Sequence, residues 1–96
     1  MPVIDVHSSE LVNKVNIIKV LAHPIRYAIA IALYENGTMN VGAIQETLDL
    51  AQSTVSQHIS KMREIGVVTA NREGTKIFYE LTNDIARNVV SSLESE

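Results

Sequence analysis

Gln52-Ser53-Thr54-Val55-Ser56-Gln57-His58-Ile59-Ser60-Lys61-Met62-Arg63-Glu64-Ile65-Gly66 is the stretch on which the fold turns. Val55, Ile59, Met62 and Ile65 recur at the spacing of one helix face, and Gly66 supplies a C-terminal stop. With Val55 at the centre of the buried stripe and 100° per residue, Ser53, Gln57, Ser60 and Glu64 fall opposite it. Ser56, Thr54 and Lys61 lie on the shoulders. The free face is therefore uncharged and hydrogen-bonding at its start and carries Lys61 further along. A helix bathed only in water more readily uses Glu, Lys or Ala than the mediocre helix formers Ser and Thr. A helix that enters a DNA major groove needs this set: Gln pairs bidentately with adenine, and Ser and Thr reach base edges or phosphates. Residue types alone leave a solvated face and a groove-reading face evenly matched.

Working outward, Asn40 can cap a short helix presenting Val41, Ile44 and Leu48, with Asp49-Leu50-Ala51 as the turn before the quoted helix. Gly42 costs that helix roughly 1 kcal/mol relative to alanine, so it needs tertiary support. Residues 40–65 thus read as a helix-turn-helix. Downstream, Val67-Val68-Thr69-Ala70 and Lys76-Ile77-Phe78-Tyr79-Glu80-Leu81 are rich in β-branched and aromatic residues and flank a polar, glycine-containing segment. They predict a β-hairpin wing over residues 67–81 with Ile77, Tyr79 and Leu81 inward. Arg72 and Lys76 bracket its turn, where an arginine can enter a minor groove and a lysine can neutralise phosphate; the bland alternative is a soluble turn whose charges do nothing. Glu64 and Glu73 oppose backbone contact unless they point away. Ala51 is a poor N-cap, costing about 1 kcal/mol relative to Ser or Asn, and Ser53 is an alternative cap.

Upstream, His23-Pro24 starts a helix with Ile25, Ala28, Ile29, Ala32 and Leu33 on one face, ended by Asn36-Gly37. Before it, a helix over residues 8–21, capped by Ser8 or Ser9, carries Leu11, Val15, Ile18 and Leu21, with Val12 and Ile17 widening the stripe. A last helix over residues 83–93, capped by Thr82 or Asn83, carries Ile85, Ala86, Val89, Val90 and Leu93. Residues 1–7 are expected to be loose. The fold class expected is α+β and mostly helical: a winged helix-turn-helix of about five helices and one hairpin, a single domain over 1–96.

Composition narrows the function. Ninety-six residues hold one core and no separate catalytic domain. With no cysteine, disulfides, thiolate zinc sites, Fe–S clusters, cysteine nucleophiles and thiol switches are excluded. The start, Met1-Pro2-Val3-Ile4-Asp5, lacks the basic and apolar character of a signal peptide, and no apolar run spans a bilayer, so a cytoplasmic protein without membrane contact is expected. The net charge of -3 disfavours phosphate contact, but its distribution does not. Residues 51–80 set Lys61, Arg63, Arg72 and Lys76 against three glutamates and alone are net positive. Acidity overall predicts modest affinity or steep salt sensitivity.

Taken in order, a helix, His23-Pro24-Ile25-Arg26, a second helix, Gln52-Ser53-Thr54-Val55-Ser56-Gln57-His58-Ile59, Gly66-Val67-Val68, a basic wing and Tyr79-Glu80-Leu81 resemble the ArsR/SmtB family of bacterial winged-helix repressors. The likeness covers residues 11–93. It implies a homodimer joined through the terminal helices, 8–21 and 83–93, each copy placing the quoted helix in a major groove of an imperfect palindrome. It also implies that Gln52, Ser53, Ser56 and Gln57 face bases or backbone and that the wing touches flanking DNA. The DNA-contacting residues expected are Gln52, Ser53, Thr54, Ser56, Gln57, Lys61, Arg72 and Lys76. The dimer residues expected are Leu11, Val15, Ile18, Val89, Val90 and Leu93; apart from the resemblance, a two-fold helical layer would cover apolar surface that one small chain cannot.

Metal sensing, common in the resembled family, is not matched. One family site needs paired cysteines near Val41 to Gln45. The other needs a carboxylate, which Asp84 provides, then a histidine where Ala86 stands, and further histidines; none follows His58. Capping, partial packing and exposure account for His7, His23 and His58 separately. Ser56 and His58, two apart on a helix, do not form a nucleophile–base pair. The expectation is no metal, no cofactor and no enzyme: a homodimeric, metal-independent repressor of a palindromic operator in double-stranded DNA. The alternative is a winged-helix protein–protein interaction module without DNA readout.

Overall fold

The computed structural model describes residues 3–95. The elements run α1 (Ser9–Leu21), α2 (Pro24–Asn36), β1 (Thr38–Asn40), α3 (Val41–Leu48), α4 (Gln52–Ile65), β2 (Val68–Glu73), β3 (Lys76–Leu81) and α5 (Asp84–Glu94). Five helices and a three-stranded antiparallel sheet of order β1-β3-β2 make a winged helix-turn-helix. Of the leader expected to be loose, Met1 and Pro2 lie outside the described residues. Residues 3–5 have no regular structure, and a turn at 6–7 is tied by the His7 N–H to Asp5 Oδ1 at 3.0 Å.

Local chemistry sets most boundaries. Ser8 Oγ accepts from the Leu11 N–H at 3.2 Å and starts α1. At α2, Pro24 takes the first position, where its missing N–H is harmless, and His23 Nδ1 accepts from the Ile25 N–H at 3.1 Å. Asn40 and Asn83 cap α3 and α5 through Oδ1, at 2.8 and 2.9 Å. The helix-turn-helix corner passes through Asp49 in the left-handed region (φ 53), which Asp tolerates better than most residues, and α4 stops at Gly66 (φ 90).

The core gathers Ile17, Val20 and Leu21 of α1, Ile29 and Leu33 of α2, Ile44 of α3, Val55, Ile59 and Met62 of α4, Val68 and Leu81 of the sheet, and Ala86 and Val90 of α5. Packing and polar ties both hold α5 to the body. Arg87 donates to the Leu81 carbonyl at 3.0 Å and lies 5.1 Å from the centroid of the Tyr34 ring, while the Tyr27 hydroxyl donates to Glu94 at 2.9 Å.

Four expectations change. Thr38-Met39-Asn40 forms a third strand, with Met39 opposite Tyr79, so the wing hairpin belongs to a larger sheet. β2 runs on to Glu73, leaving Gly74 and Thr75 as a two-residue connection; Gly74 (φ 63) supplies the positive φ that such a turn requires. Ile77 shares the inward face of Tyr79 and Leu81 but is not buried there. It lies near the hairpin tip, past the helices that cover Leu81, and is 36% exposed. Ile65, set in the buried stripe of α4, is likewise on the open last turn of its helix at 39%.

Candidate nucleic-acid interface

α4 carries the candidate reading surface. Val55, Ile59 and Met62 are buried, so the rotation of the helix about its axis is fixed by three core anchors on one side. Gln52, Ser53, Gln57, Ser60 and Lys61 are consequently exposed, and Thr54 and Ser56 are half-buried on the flanks. This one helix brings together six of the eight expected DNA residues. Ala51 holds the N-cap position without a side-chain hydrogen bond. Ser53 is therefore not the cap, and its hydroxyl stays on the exposed surface. The first N–H groups of α4 stay free of side-chain partners, which is the local chemistry an anionic oxygen finds favourable.

The wing places its two expected cations differently. Directly paired residues of an antiparallel ladder share a sheet face. Arg72 pairs with Ile77, and these share the face of Tyr79 and Leu81, which continues the covered side of the sheet. Lys76 pairs with Glu73 on the opposite face, where the carboxylate opposes its pull on phosphate. Both cations are exposed, but the strand register separates them. Between the wing and the start of α3 lies an open cleft of about 650 Å³, bordered by Asn40, Gly42, Glu46, Thr75, Lys76 and Tyr79.

At the terminal helices, Val12, Val15 and Ile18 of α1 are 44%, 38% and 51% exposed, and Leu93 of α5 is 67% exposed. Leu11 and Val89 are half-buried. A groove of about 420 Å³ bordered by Lys14, Ile85, Val89, Ser92 and Leu93 joins the two helices. Val90 is a correction. Fully buried in its own core, it has no surface to offer a second chain.

One cluster escaped the linear reading, in which the histidines stood apart. The His23 and His58 rings lie 4.5 Å apart between centroids, tilted by 45°, joining the cap of α2 to α4. Burial, then the neighbouring charges of His23 and Arg26, hold the His58 imidazole below the ordinary histidine pKa. Helix periodicity put His58 beside the core stripe, but only the α2–α4 packing brings it to His23. Among the described residues, no three His, Asp or Glu side chains converge as a metal site. No single helix there is long and apolar enough to cross a membrane.

Comparison with known proteins agrees with this geometry. Residues 21–70 match a family described as a helix-turn-helix domain. The chain is 39% identical over 83 residues to the transcriptional repressor PagR of Bacillus anthracis, covering 86% of this chain and 83% of the relative. The chain belongs to the ArsR/SmtB-type winged-helix regulators. The crystal structure of PagR superposes with a TM-score of 0.84 at 38% identity, over 88% of this chain and 97% of that one. A biofilm growth-associated repressor of Agrobacterium fabrum is 39% identical over 77 residues, 80% of this chain but 65% of the relative, so the chain spans just under two thirds of that protein. The structure of HlyU from Vibrio cholerae gives a TM-score of 0.83 at 28% identity over 90% of this chain and 92% of that one. The ArsR/SmtB-type chain described here is thus a DNA-binding transcriptional regulator of a non-enzymatic family.

Proposed function

We propose that the chain acts as a homodimeric, metal-independent repressor in the cytoplasm, covering an imperfect palindrome in double-stranded DNA. The observation that carries this reading is the pairing of a polar, exposed α4 face with an unfinished apolar face on α1 and α5. Val12, Val15, Ile18 and Leu93 stand in water in a single copy, and a two-fold axis along the α1–α5 groove would cover them. Leu11 and Val89 would border that contact.

In the dimer, the two α4 helices enter successive major grooves, which requires a separation of about 34–36 Å. Gln57 and Gln52 read base edges, Ser53, Thr54 and Ser56 meet bases or backbone, and Lys61 neutralises phosphate. The free N–H groups at the start of α4 receive a phosphate oxygen. Arg72, on the inner face of the wing, reaches the flanking minor groove, and Lys76, opposite Glu73, adds a weaker phosphate contact. Repression follows from occupying the promoter. PagR and the Agrobacterium relative are named repressors, whereas HlyU of Vibrio cholerae is named an activator, so the position of the site on a promoter sets the sign.

Selection from a random duplex library at low salt tests the proposal. Imperfect palindromes with half-sites about 10–10.5 base pairs apart are expected. Enrichment of nothing would reject DNA reading in favour of a protein-binding module, and enrichment of single half-sites would reject the dimer.

A further inference from the structure

We propose that His23 and His58 are positioning residues that form a proton-sensitive latch, in which an uncharged His58 imidazole seats α4 against the His23 cap of α2, so that mild acid weakens DNA binding. The proposal rests on α4 being the DNA-reading helix.

Three observations meet at one place. First, His23 Nδ1 accepts the Ile25 N–H at 3.1 Å, so its lone pair is the cap of α2. A protonated imidazole has N–H at both nitrogens and cannot accept, so one proton both removes the cap and adds a cation. Second, the His58 ring lies 4.5 Å from that same imidazole, tilted by 45°, and it stands on α4 next to Gln57 and one turn from Lys61. Third, Arg26 is half-buried beside the pair, and its Nε has no hydrogen-bond partner. A permanent cation is therefore already near enough to disfavour a charge on His58. The same cation argues against a metal ion between the rings.

α4 packs against α1, α2, α3 and β2. The groups from α2 that bear on His58 are His23 and Arg26, and neither is an anion. α1 contributes Lys19 in its last turn, exposed. Glu46 of α3 is exposed and borders the cleft beneath the wing. The charged residues of β2, Arg72 and Glu73, are at the hairpin tip. On α4 itself Lys61, Arg63 and Glu64 are exposed. Among the described residues, no carboxylate bears on His58 to compensate a proton there.

The sign follows from linkage. With its pKa depressed in the folded chain, His58 contributes stability that is complete above the unfolded value of about 6.5 and is lost as pH falls through the lower folded value. General electrostatics runs the other way, because acid makes the whole protein more positive and strengthens phosphate attraction. Acid-weakened binding is thus a signature that bulk charge does not produce.

Fluorescence anisotropy on a duplex selected at pH 8, titrated to about pH 5.5 at fixed salt, tests the latch with His58→Phe, which keeps an aromatic ring against His23, and His23→Asn, which keeps a capping side chain. Wild type is expected to lose about tenfold in affinity across this range, and each variant to stay level or gain. A single pH profile shared by all three proteins would overturn the latch. Urea unfolding over the same range gives a readout free of DNA: wild type should weaken in acid more than His58→Phe. Equal acid sensitivity there also overturns the proposal. Absence of any duplex binding at pH 8 would instead defeat the DNA-reading assignment, with the urea profile still deciding the latch.

Discussion

Helices α1 and α4 divide their apolar residues in opposite ways. α4 has four large apolar side chains, and its own chain buries Val55, Ile59 and Met62, leaving a polar face outward. α1 has seven, of which its own chain buries Ile17, Val20 and Leu21 and leaves Val12, Val15 and Ile18 in water. A helix whose hydrophobic stripe matches its burial is finished within one copy. One with apolar residues to spare on a second face asks for another surface. Capping separates them too: Ser8 satisfies the start of α1, whereas Ala51 leaves the start of α4 open, a state that suits the phosphate contact proposed for it.

The largest expected effect breaks the finished side. Ile59→Ala should cost roughly 2–5 kcal/mol in urea-measured stability, because the surrounding core cannot collapse fully into the space left. A loss well under 1 kcal/mol would mean that α4 is not anchored as described. Next comes a contrast on the polar side. Gln57→Ala should cost about 1–3 kcal/mol on a selected palindrome and almost nothing on random duplex, while Lys76→Ala should weaken all duplexes alike and lower the salt slope by about one. Equal behaviour of the two variants on every sequence would remove the division between base reading and phosphate contact. The smallest effect concerns the open cap. Ala51→Ser should raise stability by about 1 kcal/mol, or roughly 4–8 °C in Tm, without tightening the DNA complex.

The elements that the linear sequence disclosed are those with local causes. The apolar period of Val55, Ile59 and Met62, the cap at Asn40, the His23-Pro24 start and the stop at Gly66 each act within a few residues, and α2, α3 and α4 follow from them. The six candidate DNA residues on α4 were legible for the same reason. What escaped depends on distant partners. Thr38-Met39-Asn40 is too short to show a period and becomes a strand only through β3, some forty residues later. Val90 and Val89 look alike on paper, but the rotation of α5 on the body buries the first and leaves the second half-open. Arg72 and Lys76 bracket the same turn, yet a register set by Gly74 sends them to opposite faces. His23 and His58, thirty-five residues apart, meet only after α2 and α4 have packed.

Sedimentation equilibrium of the wild-type chain beside Ile18→Glu tests the two-fold arrangement most directly. The account predicts a wild-type species of twice the 10.6 kDa chain mass. The variant should remain folded by circular dichroism, sediment as one chain, and lose on the order of 100-fold in affinity for a palindromic duplex. A wild type that sediments as a single chain at binding concentrations and still engages the full palindrome would contradict it.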